Sequence, residues 1–505
     1  MIVCRDHCRK VIDDRESTMS AALLSQALAL HQSGHFQQAQ NIYKQILVST
    51  PHHPDALHLL GLTHLQTGNT APAIDLIRRA VTLQPANAAF RGNLGVALVE
   101  AGQPRDALAE FARAAQLDPA DPQYAMGVAN CHAQCGDHAN AERGFAAVTA
   151  RFPDFPLAWL NWGNVVRDQG RGEEALSHYQ RAIALDASLA DAHNNLGSVL
   201  HRMGKLADAE AAYRRALAID SRNPLMRCNL ASVLIDRGEF AEAETVCRAV
   251  TADLPTVPVG FSFLGAALGH QGRLEEALAC YQRALELDPA NVATITAIGA
   301  TLQEIGRMDE ALPWLRKAAE RAPEDAPIQQ VLSTTLLAEG LFQEGWQRYV
   351  FREARLHFTR KYSDQSLHTR FDRDVRGREV VLLREQGLGD ELFFLRFARP
   401  LAAHGARIVY RSSKIAGMLR RAGDIRDVIT EDTPFAPDRE HLLIGDLPLA
   451  VGLLEQASNA GRWPPAPPPL ELSPLPDMVS RLRERLATAG PPPYIALTWR
   501  AGTPP

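Results

Sequence analysis

Apolar positions along this chain recur at helical spacing, and that helical pattern itself returns every 34 residues. Ten glycines fall on the longer ruler: Gly34, Gly68, Gly102, Gly136, Gly170, Gly204, Gly238, Gly272, Gly306 and Gly340. With 34 glycines in 505 residues, agreement of all ten by chance is on the order of 10⁻¹². Five residues beyond each stands a small residue, from Ala39, Ala73 and Ala107 through to Ala311, and finally Gly345. Proline follows twelve residues later in most units (Pro51, Pro85, Pro119, Pro153, Pro255, Pro289, Pro323). Apolar residues such as Leu94, Leu98, Leu108, Phe111 and Leu117 make the seam of one unit. Each unit thus predicts two helices, A and B. The ruled glycine ends helix A in the left-handed conformation, and the proline ends helix B. Gly61, Gly95, Gly163, Gly197, Gly265 and Gly299 fall mid-helix, where glycine costs about 1 kcal/mol against alanine. They imply a close approach to the alanine of helix B. Twenty helices in ten antiparallel pairs are expected between about residues 20 and 352. No unit of this size buries its apolar face alone, so neighbours must stack.

These glycines, alanines and prolines resemble the tetratricopeptide repeat, over roughly residues 20–350. An all-α solenoid of about ten helix pairs, residues 19–352, is implied, with a protein or an extended peptide as partner. Asn93, Asn161, Asn195 and Asn229 share one position of helix A, and Asn130 and Asn164 lie one turn along. This ladder is similar to that in the repeat arm of O-linked N-acetylglucosamine transferases, where asparagines hold an extended peptide backbone. Asparagine tolerated on an exposed helix face explains the residues equally well. The end repeats carry Ser25, Leu59, Phe263 and Ala297 there, which confines any peptide track to the centre. For a binding ladder, the Asn161, Asn195 and Asn229 amides are expected free of internal partners. Replacing all three would then weaken binding and leave unfolding nearly unchanged.

Composition narrows the class. Net charge is −5, from 58 acidic and 53 basic residues, with no long basic stripe, which argues against a nucleic-acid partner. No apolar run is long enough to span a bilayer, and residues 1–18 are charged throughout, reading as a disordered tail rather than a signal peptide. Met19 opens a cleaner start, SAALLSQALAL. The seven cysteines are odd in number and mostly sit in the repeats (Cys228, Cys247, Cys280), which suits a reducing cytoplasm. Cys4, His7 and Cys8, and Cys131, His132 and Cys135, lack the second ligand pair of a zinc site, so neither a metal nor a cofactor is expected.

After Gly340 the register breaks, since position 374 is Asp374. Residues 352–378 hold eight Arg or Lys against four acids, and 353–377 reads as a linker or docking segment, a solvated connection being the plainer reading. From residue 378 to 460 the pattern is α/β: VVLLREQG, ARIVYRS, RDVIT and HLLIGDL as strands, with ELFFLRFARPLAAHG and KIAGMLRRAG as helices. Alternation of this kind predicts a parallel sheet, a Rossmann-like half-domain with its ligand site beyond the carboxyl ends of the strands. The loop after the first strand reads EQGLGDE, so Glu385, Gln386, Gly387 and Gly389 are candidate binding positions, followed by Asp390. It is not a dinucleotide fingerprint, because Leu392 stands where the third glycine is needed.

The string EQGLGDELFFLRFARPLAAHGARIVY, with Arg396 and Pro400 behind the glycine-aspartate pair, resembles the first half of heptosyltransferase-type, two-Rossmann (GT-B) glycosyltransferases. That resemblance implies Asp390 as general base on the acceptor hydroxyl. Asp390 as a plain helix cap fits the same spacing. GRWPPAPPPLELSPLP and DMVSRLRERLATAG, within 461–490, read as a Pro-rich linker and connecting helix, and 491–505 as the start of a truncated second half. The expectation is an interaction scaffold that binds a protein or peptide. The alternative is a sugar-nucleotide-dependent transferase acting on a protein or glycan, active only with the donor-binding half present and then binding a nucleotide sugar.

Overall fold

The computed structural model describes residues 18–361, 367–371, 374–384, 388–411, 425–430 and 439–458, with positions 419, 462–465, 467, 468 and 480. The chain divides into two compact units, Met1–Leu254 and Pro255–Pro505. Among the described residues of the first, fourteen helices form seven A/B pairs, from Thr18–Gln32 and Phe36–Ser49 to Pro224–Asp236 and Phe240–Asp253. The second opens with three more pairs, beginning Pro258–His270 and Leu274–Leu287 and ending Ala326–Ala338 and Phe342–Tyr349. The expected twenty helices are all present.

The ruled glycines have φ between +72° and +92°. Each closes helix A by the same pair of bonds. In the second repeat the Gly68 amide donates to the Leu65 carbonyl at 3.0 Å, and the Asn69 amide reaches back to the His64 carbonyl at 2.8 Å. These bonds satisfy carbonyls that the helix end would orphan, in a conformation glycine adopts without strain.

The mid-helix glycines meet a different partner from the one expected. A Cβ on Gly95, Gly163, Gly197 or Gly265 would stand 2.6–2.8 Å from the ring of Phe111, Tyr179, Tyr213 or Tyr281 respectively. That residue lies four beyond the alanine of helix B, so the glycine makes room for a ring rather than for the alanine alone. Gly61 and Gly299 admit Ile77 and Leu315 in the same way. These large side chains are buried, and the first five pairs' wedge residues include Tyr43, Ile77, Phe111, Phe145 and Tyr179. Each wedge holds its own two helices together, and Phe111 also touches Gly127 of the next repeat.

In the tenth pair helix B shortens to eight residues, Phe342–Tyr349. Gly345 replaces the alanine because a Cβ there would strike Leu337 at 2.7 Å. Trp346 leaves the repeat seam and packs on Phe394 and Phe397 beneath the sheet.

The sheet is parallel throughout. Its strands are β1 (Leu367–His368), β2 (Glu379–Leu383), β3 (Arg407–Arg411), β4 (Asp427–Ile429) and β5 (Glu440–Leu443), in spatial order β1-β5-β2-β3-β4. The central strand β2 is buried on both faces, as VVLL demands. Three details differ from expectation. Residues 353–377 are not simply a linker: Glu353–Lys361 is a helix, β1 pairs with β5, and Val375 is buried in the core. The segment after β2 is two helices, Leu388–Leu395 and Ala398–Ala403, instead of one. Pro400 lacks the amide that would bond the Arg396 carbonyl, and its ring crowds that carbonyl, so the helix breaks there. Thirdly, HLLIGDL is a strand only to Leu443, after which Ile444–Asp446 turns into the helix Leu447–Ser458. The segments 1–17, 412–418 and 491–505 lie outside the described residues, as do most of 461–490.

Asp446 sits at that turn, fully buried, and accepts from Arg352 at 2.6 Å and from Arg355 at 2.9 Å. It thereby ties the segment just after the tenth pair to the sheet. Arg352 also lies over the Tyr349 ring, 4.9 Å from its centroid.

Two outcomes follow for stability. Gly197→Val forces a branched side chain into the Tyr213 ring and is expected to cost about 1–3 kcal/mol in denaturant unfolding. Asp446→Ala leaves two guanidinium groups facing an empty site, one of them buried. It is expected to cost about 3–5 kcal/mol and to shift the unfolding midpoint far more than Asp309→Ala on the surface.

Candidate functional site

Successive A helices lie side by side one repeat apart, so residues 35 apart in sequence come into register. His58 Nε2 meets the Asn93 amide at 2.8 Å, the Asn161 amide lies 3.5 Å from Met126 Sδ, and the Asn229 amide donates to Asn194 Oδ1 at 2.9 Å. His31 with Gln66, and His201 with Asp236, follow the same spacing at 2.6 Å each. The Asn195 amide donates to Asn164 Oδ1 at 2.9 Å, and the Tyr179 hydroxyl donates to the same oxygen. Asn93 is buried, while Asn130, Asn161, Asn164, Asn195 and Asn229 are half-buried.

The ladder residues therefore come together, but their amides are not free. They cross-link neighbouring repeats, which corrects the expectation that alanine would leave unfolding unchanged. The sequence pattern showed the column of asparagines; it did not show the acceptor one position earlier in the preceding repeat. The ladder is interrupted in the fourth repeat, where Gly127 occupies its position. A cavity of about 310 Å³ opens there, and Asn130 lies on its wall. Tyr124 also lines it, and burial, then Asp121 and Asp118, push its phenol up to about 12.

In the second unit, strand order reverses between β5 and β2, the place where open α/β sheets bind ligands beyond the carboxyl ends. Of the candidates there, Glu385, Gln386 and Gly387 lie outside the described residues. Gly389 and Asp390 are the second and third residues of the helix Leu388–Leu395, so Gly389 belongs to the helix and not to the loop. The carboxylate that the sequence reading passed over is Glu391. It is fully buried, pairs with Arg384 and accepts from the Tyr410 hydroxyl at 2.8 Å. Its only signal in the sequence was a second acid beside Asp390. Of the cysteines first weighed as metal ligands, Cys131 is buried and Cys135 exposed, and Cys4, His7 and Cys8 fall outside the described residues. Among the described residues, no helix is long and apolar enough to cross a membrane.

Family models described as tetratricopeptide repeat match residues 24–88, 68–131, 98–161, 190–223, 225–249, 258–291 and 293–325. One described as TPR repeat matches 163–204. With the helix pairs and glycine closures above, these make the repeat region a tetratricopeptide-repeat solenoid. Among solved structures, the chain is similar to YrrB, described as a TPR protein with an unusual peptide-binding site. The identity is 22%, covering 39% of this chain and 97% of that one, with a TM-score of 0.32. A tetratricopeptide repeat protein from Parabacteroides merdae is 15% identical over 49% of this chain and 98% of that one, with a TM-score of 0.38. Yeast Tom70 is 14% identical over 68% and 97%, with a TM-score of 0.36. No curated protein matches the chain.

Because the amides bridge repeats, the double variant Asn195→Ala with Asn229→Ala is expected to lose about 1–3 kcal/mol in chemical unfolding. An unchanged midpoint would show the cross-repeat bonds to be energetically silent.

Proposed function

We propose that the chain is a protein-interaction scaffold whose first unit holds a partner as an extended segment along the A-helix face. The observation that carries this reading is the row of carboxamides in the central repeats, Asn93, Asn161, Asn195 and Asn229, interrupted at Gly127 where a cavity is set into the same row. A carboxamide has two donors and an acceptor oxygen with two lone pairs, so each bond between repeats leaves capacity unused. That spare capacity suits the alternating N–H and C=O groups of an extended backbone.

The test is a degenerate peptide array probed with the full chain and with Ser232→Trp, which sets a bulky ring on the A-helix face of the seventh repeat. Binding that the wild type shows and the variant loses, at equal thermal stability, is the expected result. Equal binding by both proteins, or none by either, counts against the face as the site.

A second reading concerns the sheet. The heptosyltransferase-like string ends β2 at the switch point of the sheet, and Asp390 stands in the first turn of the helix that follows. Both favour a glycosyltransferase site there, with the solenoid recruiting a protein or glycan acceptor and donor groups supplied from a second half of the cleft. Under this reading, in a protein that carries the donor-binding half, Asp390→Asn lowers turnover from a nucleotide sugar more than it lowers donor affinity. Equal turnover in the variant would leave Asp390 a helix cap.

A further inference from the structure

The proline-rich run that follows the last described helix is docked at its start. Arg462, Trp463, Pro464, Pro465, Pro467 and Pro468 are described residues, and Trp463 packs against the core beneath the sheet. Its ring lies on Gly452 of the helix Leu447–Ser458, where any Cβ would overlap it. A segment that reads as a linker in the sequence is therefore pinned to the second unit by a tryptophan.

The backbone beyond the pin is narrowly restricted. Proline fixes φ at about −65°, and a residue before proline is held out of the α region. Trp463, Pro464, Ala466, Pro467 and Pro468 each precede a proline. Prolines lack the amide that would join them to the sheet, so the sequence favours the polyproline II helix, with three residues per turn. Burial follows that period. Pro464 and Pro467 are half-buried, whereas Arg462, Pro465 and Pro468 are exposed. One edge of the run thus lies towards the protein, and the edge that carries Arg462, Pro465 and Pro468 faces solvent. A free spacer would be exposed at all of these positions.

Two rigid rings and a cation on one edge are what an aromatic-lined groove with an acidic pocket reads. The proline conformation is set before binding, and Trp463 fixes one end, so little ordering remains to be supplied on docking. The exposed guanidinium calls for a carboxylate, with which it forms paired, charge-assisted hydrogen bonds.

We propose that Arg462, Pro465 and Pro468 are a displayed ligand for a partner domain with an aromatic-lined groove and a carboxylate beside it. The two prolines fill the gaps between the partner's rings, the guanidinium meets its carboxylate, and Trp463 stays on Gly452 as the anchor. This contact lies in the second unit and does not rest on the peptide-holding reading. There the chain holds an extended segment; here it offers one.

The full chain is titrated over a panel of immobilised proline-recognition domains of the SH3 type, each with an acidic pocket, by surface plasmon resonance. Saturable binding to at least one is expected. Pro465→Ala with Pro468→Ala, and separately Arg462→Glu, should each weaken it about tenfold or more at an unchanged unfolding midpoint. Arg462→Lys should retain most of the affinity. Binding to no member of the panel, or binding that survives in the double proline variant or in Arg462→Glu, overturns the proposal. Ser232→Trp, on the A-helix face, keeps the two ideas apart. It should leave this binding unchanged whatever it does on the peptide array, and loss of panel binding in Ser232→Trp would move the contact to the solenoid and overturn the proposal as well.

Discussion

The close approach of helix A to helix B governs what the rest of the first unit is able to do. A glycine or alanine in the middle of helix A lets a Tyr, Phe, Ile or Leu from helix B lie flat against the backbone. Overpacking any of these contacts is expensive, because interiors are filled to crystal-like density and have no slack to absorb a methyl group. Since the same contact recurs every 34 residues, it sets one pair geometry for every repeat. That regularity brings residues 35 apart to the same distance in successive A helices.

Polar bonds between repeats therefore come almost free of geometric adjustment, and they explain why asparagine recurs on a face that could have been merely solvated. A carboxamide spans the gap, donates and accepts at once, and leaves capacity over. The structural role and the binding role, set against each other by the sequence, are compatible: a cross-linked amide is also an oriented one. Where both partners are glycine (Gly92 and Gly127), the row loses a rung, and the buried rings of Tyr124 and Phe111 lie against the backbone there.

The repeat was legible because its glycines, alanines and prolines answer local backbone demands, and such demands are written residue by residue. Four of the five strands were legible for the same reason, each a short apolar run between turns; Leu367–His368 was not. What escaped were relations between elements. The ring opposite Gly197, the acceptor opposite Asn229 and the pairing of Leu367 with His441 depend on which segments meet, and periodicity within one segment carries no trace of that. Arg352 and Arg355 read as part of a basic connection; burial against Asp446, 94 and 91 residues away, gave them another purpose. Glu391 likewise owes its burial to Arg384 and Tyr410, neither of which the loop string EQGLGDE contains.

A stack of repeats always has an unfinished end, because its last pair presents an apolar flank with no successor to cover it. Repeat proteins usually solve this with a terminal helix whose outer side is polar. Here Leu337, Tyr349 and Val350 pack with Trp346 into the core beneath the sheet. The α/β portion is thus the lid on the array as well as a domain in its own right. A boundary drawn between them at residue 352 would cut through a shared core, leaving sticky surfaces on both fragments. Removing the sheet would therefore uncover the end of the array, whatever else the sheet does.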